Sequence, residues 1–150
     1  MKTITTTLCV VLLTLSAVTS NAQSNRNSRP LQFSALPTSI NFTESQLSSL
    51  FNAPQGKTVA LRSAANASFD GPVTSNLVKY SNLQTVVIRL TAYNNSLFSI
   101  SKQTEGNTIN YVGRIINPAY ADGFELKRST NGTYQLVKID AQNTLTDCSL

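Results

Sequence analysis

Asp122 and Glu125 are the most closely spaced acids in the chain, and two carboxylates are the least that general acid–base chemistry or a hard cation requires. Their spacing argues against both uses. Residues three apart on a strand point to opposite faces, so Asp122 reads as a turn aspartate and Glu125 as half of an outward charge pair with Arg114. Asp140 and Asp147 merely flank the C-terminal segment, and Asp70-Gly71-Pro72 reads as a turn. The chain has no histidine, which excludes Ser-His-Asp and Cys-His catalysis and zinc sites built on imidazole. The six glycines read as isolated turn residues, with no phosphate-cradling loop among them. No catalytic residue, metal or cofactor is therefore assigned.

What remains for function is a surface. Tyr111 and Tyr134 fall on the apolar side of alternating segments and are expected in the core. Tyr120, in a loop beside Pro118, is a candidate for an exposed contact, and Arg89 and Arg114 are candidates on the outward face of strands. Twelve Lys and Arg against seven Asp and Glu give a net charge of +5. The cations are scattered, Lys127-Arg128 being the only adjacent pair, whereas nucleic-acid binders carry a stripe or patch. No nucleic-acid partner is expected. With 13% charged residues and many Asn, Ser and Thr, the surface is solubilised largely by amides and hydroxyls.

The N-terminus carries an address. Lys2 supplies a positive start, Leu8 to Val18 an apolar run short of the ~20 residues of a membrane span, and Ser20-Asn21-Ala22 small residues for a signal peptidase. Residues 1–22 thus read as a cleavable export signal. The mature protein is expected to be secreted or periplasmic, without a membrane span. Cleavage removes Cys9 and leaves Cys148 alone, which precludes an internal disulfide and makes Cys148 an idle tail thiol or a cross-link between chains. Four N-x-S/T sequons, at Asn41, Asn66, Asn94 and Asn131, are glycan acceptors only if the secretory route glycosylates.

Behind the signal, residues 23–39 read as a flexible, Pro-containing lead in which Leu31, Phe33 and Leu36 could dock, and 40–150 as one globular domain. A helix is expected from Thr43, which forms a T-x-x-Q capping box with Gln46, to the stop at Pro54 and Gly56. Alternation then predicts extended segments at 57–62, 84–93, 97–102, 108–116, 124–127 and 133–139, with a weaker one opened by Gly71-Pro72 and running toward Tyr80. The strongest is Gln84 to Tyr93, with Val86, Ile88 and Leu90 on one face. The last two segments form a hairpin about Asn131-Gly132. Short connections make the pairing antiparallel and exclude βαβ units.

The fold expected is α+β and β-dominated, with one short N-terminal helix on a meandering antiparallel sheet of about six strands, able to curl into a small open barrel. The function expected is that of an exported, non-enzymatic module acting through a protein or glycan surface. The alternatives are a carboxylate-based, carbohydrate-active hydrolase and an inhibitor or folding assistant for a secreted protease. The mature chain is expected to begin at Gln23 or its pyroglutamate form, as the intact mass of the exported protein will report. Retention of residues 1–22 in the soluble fraction contradicts the reading.

Overall fold

A computed structural model of the chain describes residues 29–64 and 66–141. The proposed signal, the Ala22 cut and Cys148 lie outside them. The described chain runs β1 (Ser39–Phe42), α1 (Glu44–Leu50), β2 (Thr58–Arg62), β3 (Ser68–Tyr80), β4 (Leu83–Leu90), β5 (Ser96–Glu105), β6 (Thr108–Ile116), β7 (Asp122–Arg128) and β8 (Tyr134–Asp140). The eight strands form one antiparallel sheet in the order β1-β8-β7-β6-β5-β4-β3-β2, curled into a half-barrel. Every neighbouring pair from β2 to β8 is consecutive in sequence, as short turns dictate. Among the described residues no helix is long and apolar enough to cross a membrane.

Strand β4 follows the alternation closely. Val86, Ile88 and Leu90 are fully buried on the concave face and Arg89 is exposed on the convex one. Phe98 and Ile100 of β5, Tyr111 and Ile115 of β6, Phe124 and Leu126 of β7, and Tyr134 and Leu136 of β8 complete the concave core. Tyr111 and Tyr134 stack edge to face at 5.4 Å, and the Tyr134 hydroxyl accepts the Tyr111 backbone N–H at 3.3 Å, so its polar end is satisfied inside.

The helix is shorter than its sequence signature but starts where expected. Thr43 Oγ1 accepts the Gln46 N–H at 3.3 Å and Gln46 Oε1 accepts the Thr43 N–H at 2.9 Å, the reciprocal capping box. Leu47 and Leu50 plug the concave face. The carbonyls at its C-terminal end find donors on the sheet: Asn76 Nδ2 reaches Phe51 O at 3.0 Å and Ala53 O at 2.8 Å, and Gln84 Nε2 reaches Phe51 O at 3.1 Å.

Two features depart from the sequence reading. Gly71-Pro72 opens no strand; it lies inside the 13-residue β3, paired to β2 through Val59↔Gly71 and Thr58↔Pro72. Gly113 and Gly123 are likewise within strands, so only part of the glycine set serves turns. A strand also precedes the helix: β1 pairs with β8 through Ile40↔Leu136 and Phe42↔Tyr134.

The described part of the 23–39 lead is anchored at Phe33. Phe33 is 1% exposed and meets Tyr93 and Phe124 at 5.2 Å each. The Asp122 carboxylate accepts the backbone N–H of Gln32 at 2.6 Å and of Phe33 at 2.9 Å. Lys138 Nζ donates to the carbonyls of Phe33 at 2.7 Å and Leu36 at 2.9 Å.

The register of β4 carries a prediction. Ile88→Ala should cost about 2–5 kcal/mol through lost burial and the cavity left behind, whereas Arg89→Ala should cost about 0.5 kcal/mol or less. Paired denaturant unfolding measures both, and a larger loss for Arg89→Ala would mean that the convex face is covered.

Candidate functional site

The convex face is where side chains meet solvent, and register places them in rows. Across β4, β5, β6 and β7, one row runs Val87–Ser99–Arg114–Glu125. The row on one side of it contains Arg89–Leu97–Ile116, and the row on the other Thr85–Ser101–Val112. Between these rows lies an open depression of about 650 Å³ lined chiefly by Val87, Leu97, Val112, Ile116, Ser99 and Arg114. Leu97 and Val112 stand 42% and 47% exposed above it. The hydroxyls of Thr85 and Ser101 bond each other at 2.8 Å, so the floor has settled polar groups among aliphatic ones.

At one end of the central row sits an ion trio. Arg114 donates to Glu125 Oε1 through Nη2 at 2.9 Å and Nε at 3.3 Å, and Lys127 Nζ lies 3.1 Å from Glu125 Oε2. The Arg114–Glu125 pair is the one the sequence spacing indicates. The hydrogen bond from Arg114, then that from Lys127, holds the Glu125 carboxyl below its ordinary range, against a smaller opposing effect of burial. Burial pushes the Tyr111 phenol up, in keeping with a core residue.

Asp122 and Glu125 do face opposite ways. Asp122 is buried and holds two backbone N–H groups, a firmer duty than that of a turn aspartate, while Glu125 faces out toward two cations. Among the described residues no three metal-ligating side chains converge.

Arg89 and Arg114 share the convex face, in adjoining rows. Tyr120 does not join them. It sits half-buried in the loop after β6, where its hydroxyl accepts the Asn94 side-chain amide, and Asn117 Nδ2 donates to Asn94 O at 3.1 Å. Asn94 and Asn95 both adopt left-handed backbone, at φ 47° and 60°. Tyr120 therefore latches two loops together. The aliphatic residues Leu97 and Val112 were not singled out from sequence. The available signal is parity: each is an apolar residue on the outward side of a strand whose inward side is already apolar.

Two other surfaces lie away from the depression, the first of them larger at about 870 Å³. A hollow between the lead and β8, lined by Leu31, Val137, Lys138 and Asp140, adjoins the points where the described chain begins and ends. Leu77, Val78 and Tyr80 project at the free end of β3 at 58–64% exposure, but register shifts on both sides of Ser75–Val78, and Lys79 beside it, blunt that edge.

No protein-family model matches the chain, and no match is found among curated proteins or solved structures.

The ion trio gives a pH prediction. A carboxyl whose folded pKa lies below its unfolded value stabilises fully above the ordinary glutamate range, and that stability fades as pH falls through the folded value. Glu125→Gln should thus cost ~0.2–1 kcal/mol near neutral pH and less at about pH 2.5, where protonation below the ordinary glutamate pKa of about 4.3 has begun to remove the pair's contribution. Denaturant unfolding of both proteins at the two pH values measures the gap. An equal gap at both would assign the loss to packing.

Proposed function

We propose that the protein is a small exported binding module, without catalysis, which engages a protein or glycan partner through the convex face of its sheet. The carrying observation is that Leu97 and Val112 stand exposed over one aliphatic depression, in rows on either side of Arg114, with Arg89, Glu125 and Lys127 as further charges on the same face. An apolar patch ringed by polar groups is the usual form of a recognition surface. The carboxylate hydrolase gains no support from Asp122 and Glu125, because the pair cannot flank one substrate from opposite faces of a sheet. The export route rests on residues 1–22, and the mature module would act outside the cytoplasm after cleavage near Ala22.

Affinity capture with the mature protein from its own secretion medium tests the reading. Leu97→Asp and Val112→Asp, on an exposed face, should leave thermal unfolding nearly unchanged and reduce the captured partner at least about tenfold, the equivalent of ~1.4 kcal/mol. Glycosidase treatment of the captured material separates protein from glycan recognition. Capture that persists in both variants overturns the assignment of this face.

A further inference from the structure

Two properties of the convex face define its partner's chemistry. One is charge. Glu125 is shared between Arg114 and Lys127, so the trio keeps a net positive charge, and both cations hold more than half of their side-chain surface in solvent (51% and 57%). Arg89, exposed beside Leu97, adds another positive group on the same face. Arg114 has five N–H donors, of which Glu125 engages those on Nε and Nη2 only, leaving a donor edge for a second carboxylate.

The other property is spacing. Along β6 the outward side chains run Val112, Arg114, Ile116, and along β5 they run Ser101, Ser99, Leu97, with Arg114 opposite Ser99 and Ile116 opposite Leu97. Along β6 the face therefore presents apolar Val112, cationic Arg114 and apolar Ile116 in succession, each ~6.8 Å from the next, two strand residues apart. An extended chain lying along β5 and β6 repeats that distance on its own same-face residues. An α-helix, rising ~5.4 Å per turn, drifts out of step.

We infer that the convex face binds an extended acidic polypeptide segment of the pattern apolar-x-acidic-x-apolar, its carboxylate on Arg114 and its two apolar side chains beside Val112 and against Leu97 and Ile116. The inference rests on the binding-module reading above and commits it to a protein partner. The aliphatic floor supports that choice, since it offers methyl and methylene groups to apolar side chains, while the aromatic rings of the core point to the other face. A net charge of +4, left by 11 Lys and Arg against 7 Asp and Glu once Lys2 departs with the proposed signal, favours encounter with an acidic chain at low salt.

The test uses three synthetic peptides on a threonine background, carrying Leu-x-Glu-x-Leu, Leu-x-Lys-x-Leu and Ser-x-Glu-x-Ser. Each is titrated into the mature full chain, with backbone amide NMR shifts as the readout. The Leu/Glu peptide should move the amides of Leu97, Ser99, Val112 and Arg114, and should bind at least about tenfold tighter than either of the others. Arg114→Gln should erase the preference for Glu over Lys while leaving the shift pattern in place. Raising salt from about 0.05 M to about 0.5 M, which shortens the screening length severalfold, should weaken both Glu peptides and not the Leu/Lys peptide. Equal binding of the Leu/Glu and Leu/Lys peptides, binding of none, or an undiminished preference in Arg114→Gln overturns the inference. The convex-face reading itself falls only if Leu97→Asp and Val112→Asp still capture the native partner, so the two failures are distinguishable.

Discussion

A Cβ on Gly71 would lie 1.8 Å from the carbonyl oxygen of Arg89, inside any permissible contact, and the curl of the sheet depends on that missing atom. The same holds at Gly113, where a Cβ would meet Ser99 O at 2.7 Å, and at Gly123, where it would meet Ile115 O at 2.5 Å. In each case a backbone carbonyl of another strand occupies the space a side chain would need. Glycine inside a strand costs conformational entropy and packs nothing, so it suits a place where the sheet must coil sharply. Pro72, next to Gly71 and just before the register shift at Val73/Ser75, adds to that local bend without donating to the ladder.

The curl sets the task of the N-terminal third of the chain. An open antiparallel sheet has two edges, and a curled one also has an open mouth over its apolar concave face. The edges here are β1 and β2, consecutive in sequence, and α1 between them lies over the concave face with Leu47 and Leu50 inserted. Gln46 completes the cap of this helix and also donates from Nε2 to Arg62 O at 2.8 Å, occupying an edge carbonyl of β2. Phe33 fills a further part of the core, held by Asp122 on its amide and Lys138 on its carbonyl. Burying Asp122 would be costly for a bare carboxylate, and its two backbone donors offset much of that cost.

The elements legible in the sequence were those whose determinants are local. Val86, Ile88 and Leu90 declare their face by alternation alone, Thr43 and Gln46 declare a helix start across three positions, and Gly132, at φ 81°, closes the β7–β8 hairpin where Asn131-Gly132 indicates it. Antiparallel order followed from short loops. What escaped was set by distant neighbours. Gly71-Pro72 has the local chemistry of a turn, and only the approach of Arg89, eighteen residues on, makes it a strand interior. The segment Ser39–Phe42 is too short to show periodicity, and its pairing to β8 spans most of the domain. Asp122 resembled a turn residue because its partners, the amides of Gln32 and Phe33, are ninety and eighty-nine residues away.

Curvature also explains why the open depression lies on the convex side. Bending a sheet crowds the side chains inside the bend and spreads those outside it. The inside is filled by aromatic contacts, with Phe69 reaching Phe42, Tyr93 and Phe124 at 5.5–6.2 Å. Outside, even β-branched and leucine side chains do not close the gaps between rows, and the depression opens among Val87, Leu97, Val112 and Ile116. Gly113 belongs to both effects: it lies in the floor of that depression, and the space on its inner side is taken by the backbone of Ser99 and Ile100. The residues that let the chain fold thus also leave apolar surface uncovered, with the charged trio Arg114, Glu125 and Lys127 beside it.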